Sequence, residues 1–464
     1  MATWTPDPTF YPSPRMAMDA PREELAYAVV IDPTRERPDA LAVLDVAPGS
    51  PAYGRVIGNL ELPNVGDELH HFGWNACSAS LCPTMPHPHI ERRYLIIPGL
   101  RSSNIYIVDT KPDPRRPRLI KTITPEEIAR QSGYSRPHTV HCGPDALYVN
   151  ALGAPGGDGP GGVFMLDHET FEVRGPWEQE RGPQYLAYDF WWHLGQDTMI
   201  TSEWGTPKMV EAGLDPKILL DAGYGHHLHV WDLRTRRHMQ ALDLGREHQM
   251  VLELRPSHNP RNTYGFIGVV TSLKDLSGSV WLWYRDGKEW AIRKVIEVPA
   301  EPADAAILPP ILQGFGAVPP LITDINLSLD DRFLYVSCWG TGELRQYDVS
   351  DPFAPKFVGS VHLGGIVRKT PRAAGGAPLN GGPQMVEVSR DGRRVYVSNS
   401  LYASWDAQFY PDGIRGWVAK LDVGTDGRLD LDQDFFPEFG AKRPHQIRLQ
   451  GGDASSDSFC YPDR

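Results

Sequence analysis

Cysteine, net positive charge and long apolar runs are all scarce in this 464-residue chain. Five cysteines, an odd and sparse set, suit a reducing compartment better than a disulfide-built scaffold. A formal net charge of -12 leaves no broad basic face for nucleic acid or an acidic membrane surface. No apolar run approaches the roughly 18 residues that a membrane helix needs. The opening stretch MATWTPDPTFYPSPRMAMDAPREE has no apolar core and does not read as a secretory leader. The expectation is therefore a soluble, cytoplasmic protein that binds neither nucleic acid nor membrane. Familiar catalytic signatures are missing too: GxSxG, the P-loop pattern and HExxH. The Gly-rich GAPGGDGPGG lacks the lysine and the following helix of a phosphate cradle, and reads as a long loop.

Glycine and proline are abundant, at 45 and 43, and turn signals recur throughout. One short pattern repeats: three or four apolar residues, an Asp, a polar turn, then a β-rich stretch. It appears as LAVLDVAPGS, IYIVDTKPDP, VFMLDHETFE, LHVWDLRTRR, VWLWYRDGKE, LRQYDVSDPF and VAKLDVGTDG. The fifth copy carries Tyr284 in place of Asp. A second strand precedes most copies, and before that comes a third ending in a tight turn such as LDD or RDG. Four short strands repeated about seven times predict an all-β chain folded as a seven-bladed β-propeller. The unit from Ala26 to Leu62 lacks an innermost strand, and HQIRLQGG near the C-terminus has no outer strands after it. Pairing the two closes the ring and removes the open sheet edge. The expected division is an N-terminal extension over 1–24 and one propeller domain over 25–464. Inner strands are expected near His445, His70, His138, Tyr188, Leu252, Ile322 and Gln384. Most long insertions (124–137, 205–223, 299–321, 364–382 and 401–416) then decorate one mouth of the channel. TPKMVEAGLDPKILLDAG among them has helical spacing suited to a lid.

This closure converts scattered histidines into neighbours. His70 and His71 open one inner strand, His138 the next, and His445 that of the closing blade, so three consecutive blades deliver imidazole to one side of the channel mouth. Imidazole nitrogens suit copper, zinc, iron or nickel, with copper(II) heading the divalent order, whereas calcium and magnesium take oxygen. Asp67 or Glu68 is placed to hold a ring N–H from behind. His141 lies three residues beyond His138, and strand alternation sets it on the other side, as ligand, support or core residue. His227, opening HLHVWD, is a further candidate ligand, as is Cys77; His226 and His229 read as packing or surface residues. His87 and His89, in PHPH, read as a solvated loop at the far face. Cys77 and Cys82 read as buried apolar residues rather than a redox pair, and Cys142 as core. Asp189, Asp324 and Asp406 read as polar channel groups held in structural hydrogen bonds. Of Trp191, Trp192, Trp204, Trp339 and Trp405, most are expected to pack between blades, with one or two lining an apolar pocket.

DELHHFGWNACS, HTVHC, YDFWW, HLHVWD, LSLDDRFLYVS, GGPQM, SLYASWDAQFYPD and GGDASSD follow one another along nearly the whole chain. In these motifs the sequence resembles the selenium-binding protein / methanethiol oxidase family. The resemblance implies a seven-bladed propeller and a copper-dependent thiol oxidase that turns methanethiol, O2 and water into formaldehyde, hydrogen sulfide and hydrogen peroxide. The family's histidine motifs match at His70, His71, His138, His141 and His445, which sharpens the metal to copper; His227 also matches a family histidine. Glu68 and Asp189 are the expected supporting carboxylates around the site, and Asp189 and Glu203 the candidates for proton transfer. Gly54 stands where members named for selenium carry cysteine, so covalent selenium attachment there is not expected. The alternative is a non-catalytic selenium- or copper-binding propeller in selenium or sulfur handling or protein interaction. A lactonase-type hydrolase would want a carboxylate- and amide-rich calcium site, unlike this histidine-rich mouth.

Overall fold

A computed structural model describes residues 5–84, 87–371 and 378–463. Seven antiparallel four-stranded sheets follow one another as the blades of a β-propeller. Blade one is closed from both ends of the chain: Val56–Val65, Pro38–Asp45 and Leu25–Ile31 lie side by side, and Arg443–Leu449 adds the innermost strand. The pairing Ala26↔Leu449 to Ile31↔Arg443 is antiparallel, as the missing-strand argument requires. The inner strands of blades two to seven are Gly73–Trp74, Ser135–Cys142, Phe190–His193, His248–Pro256, Ile322–Leu327 and Val386–Val388.

Burial explains why the strands read differently in sequence. The inner strand His248–Pro256 is buried at every position, whereas the outer strands Arg237–Asp243 and Lys356–His362 alternate exposed and half-buried residues. Inner strands are flanked by neighbouring blades and the channel, so they are buried whether their residues are apolar, as Val251 and Leu254 are, or polar, as Glu253 and Arg255 are. The recurring Asp has a local cause. Asp45, Asp109, Asp167, Asp232 and Asp348 end the third strand of their blades, and each accepts the backbone N–H two residues on, at 2.8–3.1 Å. That is an Asx turn, which supplies the hydrogen bond the chain needs as it leaves the sheet.

The insertions are partly ordered by their own signals. Thr124 caps the helix Pro125–Ser132, and Gly133 ends it in the left-handed conformation at φ 79°. Segment 205–223 carries the short helices Pro207–Val210 and Pro216–Leu220, and 401–416 carries Ala403–Phe409. Two small ribbons, Glu301–Pro302 with Ala317–Val318 and Gly365–Thr370 with Leu379–Gly381, fall inside the other long insertions. The extension before Leu25, of which Met1–Trp4 lie outside the described residues, is pinned to the ring. Tyr11 N–H donates to Ser78 Oγ at 3.0 Å, and buried Glu23 pairs with Arg394 at 2.8 Å.

Cysteine usage differs from expectation. Cys77 pairs with Cys142 and Cys82 with Cys460, with Cα–Cα distances of 6.2 and 5.5 Å, leaving Cys338 buried and free. Partners 65 and 378 residues apart meet only because the ring brings blade two against blade three and the tail under blade two. Cys77 is thereby removed from the candidate ligands. His87 is not solvated either: it is buried and stacks on His168 at 4.5 Å, while His89 is exposed beside Glu169.

Candidate metal centre

Backbone strain prepares the inner strands that carry the histidines. Glu68 and Arg136 hold φ of 55° and 58°, each two residues before a histidine, His70 and His138. Left-handed non-glycine residues are rare and cluster where the surroundings over-determine them. Here each one kinks the entering chain at the mouth. The joint between blades one and two is cross-linked: Phe72 N–H donates to Gln446 Oε1 at 2.7 Å, and Arg448 Nε donates to the Phe72 carbonyl at 2.9 Å. That clasp sets His445 against His70, their ring centroids 3.8 Å apart and stacked.

Four imidazoles converge. Centroids of His70 and His138 lie 4.7 Å apart, of His71 and His138 4.3 Å, and of His70 and His71 4.9 Å. A ligand nitrogen from each of His70, His71 and His138 lies within 4.8 Å of the others. Their opposite edges are held: Thr139 Oγ1 lies 2.9 Å from His138 Nδ1 and 3.3 Å from His71 Nδ1, and the Ser400 carbonyl accepts from His445 Nδ1 at 2.7 Å. The Nε2 atoms of His70, His71, His138 and His445 are buried and make no hydrogen bond. One such atom costs about 1–3 kcal/mol, and three of them, from His70, His71 and His138, lie within ligand distance of one another with His445 stacked on His70 beside them, an arrangement able to hold a metal ion. Burial drives the pKa of His70, His71 and His138 well below the ordinary imidazole value, and neighbouring imidazoles add to it. Burial lowers His445 to about 4. All four are neutral near pH 7, the form that binds metal.

Beside the rings lies a small apolar pocket lined by Trp204, Leu252, Trp339, Leu401, Trp405 and Phe409, among others. Tyr188 joins it to the histidines, 4.3 Å from the His138 ring and 5.4 Å from Trp204. The helices expected in 205–223 are there, tied to the helix Ala403–Phe409. Trp405 Nε1 donates to the Val210 carbonyl at 2.9 Å, and Gln408 bonds both N–H and carbonyl of Leu214.

Residues 4–460 match the family model described as 56 kDa selenium-binding protein. The chain belongs to that family. It is 42% identical to a protein named methanethiol oxidase from Xenopus laevis, covering 96% of this chain and 97% of that one. A protein of the same name from Homo sapiens is 40% identical over the same shares. A crystal structure of a hypothetical selenium-binding protein from Sulfolobus tokodaii superposes with a TM-score of 0.96 at 57% identity, covering 98% of this chain and all of that one.

Within this member of the family the other expected site residues take different places. His141, partly exposed to the channel, turns to Trp191 at 4.3 Å instead of joining the four; its Nε2 has no hydrogen-bond partner. His227 sits on the third strand of blade four, two strands and roughly 10 Å from the channel wall. Neither expected carboxylate reaches a ring. Glu68 accepts the Ala403 N–H at 2.7 Å, anchoring the helix Ala403–Phe409, and burial raises it to about 7. Asp189 accepts the Leu254 N–H at 3.0 Å and faces Arg255 at 3.7 Å. Asp67 accepts from Tyr106 Oη at 2.8 Å. Glu203 holds His227 and His229, at 3.2 and 3.0 Å. Gly54 has φ 71°, and a Cβ there would meet the Asp434 carbonyl at 2.9 Å, so any side chain at this position, a cysteine included, would be strained.

The carboxylate that does reach the site is Glu253, whose Oε1 accepts from Tyr188 Oη at 2.8 Å and lies 3.5 Å from His71 Nε2. Below it, Arg255 pairs with Glu253 and Asp324 at 3.2 and 3.1 Å, and Arg448 bonds Glu387 and Ser455. Asp324 takes the place expected of it as a polar channel group, whereas Thr139, Glu253, Arg255, Glu387, Arg448 and Ser455 were not singled out from sequence. The available signal was the charged Glu253 and Arg255 inside the apolar strand VLELRP, which only a channel-lining strand tolerates.

Proposed function

We propose that this chain is a methanethiol oxidase using copper held by His70, His71, His138 and His445. The carrying observation is the set of four buried, neutral imidazoles whose Nε2 atoms make no hydrogen bond, beside a small apolar pocket. An all-nitrogen donor set fits copper and disfavours calcium and magnesium. When bound, copper supplies a thiophilic centre that favours the thiolate form of the substrate and passes electrons to dioxygen. The names of the Xenopus and human relatives support the substrate.

The chain's own residues supply selection and proton handling. Trp204, Leu252, Leu401 and Trp405 form a pocket that suits a methyl group and has no room for a peptide thiol. The lid, fastened through Trp405 and Gln408, limits water around the reacting carbon. Glu253, whose carboxyl burial pushes above its ordinary value, is placed to hold the thiol proton at Oε1 beside His71 and Tyr188. The overall change balances: methanethiol, dioxygen and water, in equal numbers, give formaldehyde, hydrogen sulfide and hydrogen peroxide in equal numbers. The electron pair passes from the methyl carbon to dioxygen.

Dioxygen as acceptor and a cytoplasmic setting complete the reading. The net charge of -12 supports the expectation that nucleic acid is no partner. Among the described residues no helix is long and apolar enough to cross a membrane. Cys77 and Cys142 are both buried, which shields that pair from soluble reductants, whereas Cys460 of the second pair is partly exposed. The test is copper-loaded protein with methanethiol under air. Sulfide and peroxide should appear in equal amounts, and His70→Ala should lose stoichiometric copper and at least 100-fold of the turnover. Full turnover in His70→Ala would refute the ligand assignment; tight copper binding without product would favour the binding-protein alternative.

A further inference from the structure

A second group of metal-competent side chains lies on blade four, apart from the channel. His227 opens the third strand, His227–Asp232, and its register partner on the outer strand is Asp243. Successive residues of a strand point to opposite faces. His226 precedes the strand, however, and its ring lies 4.1 Å from that of His227, on the same side. Nε2 of His226 and Nε2 of His227 each stand 3.8 Å from Asp243 Oδ1, and one ligand atom from each of the three residues lies within 4.8 Å of the others.

These separations are too long for hydrogen bonds. They are near the roughly 3.4 Å between ligands around a tetrahedral ion with bonds of about 2.0–2.1 Å. The opposite edges of both rings are already committed. His227 Nδ1 donates to Glu203 Oε2 at 3.2 Å, and His226 Nδ1 faces the Tyr224 carbonyl at 3.4 Å. Buried Glu203 also accepts the backbone N–H groups of His226 and His227, at 3.2 and 3.1 Å, which fixes the turn that brings both rings together. Gly245 N–H donates to Asp243 Oδ1 at 2.8 Å and orients that carboxylate. An imidazole whose Nδ1–H is held by a carboxylate or carbonyl presents Nε2 as a ligand, the arrangement found behind metal-bound histidines. The side chains of His226, His227 and Asp243 are 18, 30 and 60% exposed, so an ion reaches them from solvent and water completes its shell.

We propose that His226, His227 and Asp243 form a second, peripheral site for a borderline divalent ion of the zinc or copper(II) type. Two imidazole nitrogens and one carboxylate select such ions over calcium or magnesium, which take oxygen sets. The site shares no residue with the channel histidines, so the two assignments stand or fall separately.

Titration of metal-free, full-length protein with zinc chloride, and separately with copper(II) chloride, tests this. Two classes of site are expected, and copper should give two distinct electron paramagnetic resonance signals. Asp243→Asn and His226→Ala should each weaken the peripheral class at least tenfold and leave the channel class and methanethiol turnover unchanged. His70→Ala should do the converse. Asp243 is exposed, so its substitution tests binding without threatening the fold. A single bound ion that persists in the Asp243→Asn/His226→Ala double variant and is lost in His70→Ala, or two classes persisting unchanged in that double variant, overturns the proposal.

Discussion

Glu203 shows how a single residue balances opposing forces. Burial alone would push its carboxyl up; the hydrogen bonds from His227 and His229 overcome this and hold it at about 2. A folded-state pKa below the unfolded one contributes stability that is complete above about 4.5 and is lost as pH falls toward 2. In metal-free protein, Glu203→Gln should therefore flatten the acid limb of the stability curve, by about 1.4 kcal/mol per pH unit for one linked proton. Denaturant midpoints between pH 5 and 3 measure the difference; parallel curves for the two proteins would contradict the assigned pairing. At this scale the channel histidines were legible because they open strands whose order the repeat reveals. Thr139 was not, since a threonine in a β-strand is ordinary until two imidazole nitrogens are seen on its hydroxyl.

Among the elements, the helix Ala403–Phe409 walls the apolar pocket. The helix Ala403–Phe409 is held from below by Glu68 and from the side by Val210 and Leu214, and it sets Trp405 into the apolar pocket at 5.3 Å from Trp204. Trp405→Ala removes a buried ring and a hydrogen bond and enlarges that pocket. Turnover of ethanethiol and propanethiol should rise relative to methanethiol by roughly 10-fold, in line with the 1–3 kcal/mol a hydrophobic pocket can discriminate per methylene. Unchanged selectivity would place the limiting contact elsewhere. The helices of 205–223 were readable in outline from helical spacing. Their partner helix was not assigned, because seven residues around Trp405 carry too short a period to distinguish a helix from a loop. The cysteine pairs escaped notice for a different reason. Spacing along the chain says nothing about Cys82 and Cys460 once 378 residues intervene, and only ring closure brings their Cα atoms to 5.5 Å.

The whole molecule depends on its closing blade. Arg443–Leu449 supplies the inner strand of blade one, the channel imidazole of His445 and the Arg448 that bonds Glu387 and the Phe72 carbonyl across two joints. Truncation after Lys442 should therefore not yield a six-bladed remainder with one frayed sheet. It should abolish copper binding and cooperative unfolding together, with circular dichroism and limited proteolysis as the readouts. A truncated chain that unfolds cooperatively near the wild-type temperature would show that closure is dispensable.

The repeat, the Asp-ended third strands, the missing inner strand and the histidines that open their neighbours are all local patterns. Each follows from the period of a strand or the chemistry of a turn, and so the amino-acid sequence alone determined the propeller, its closure and the convergence of the channel histidines. What only the tertiary structure decided were the relations between distant residues: which carboxylate meets an imidazole, which cysteines pair, and that His227 turns to Glu203 and Asp243 instead of the channel. Those outcomes depend on how a kinked strand, a bulge or a neighbouring blade directs a side chain through a few ångströms. No one-dimensional period carries that information.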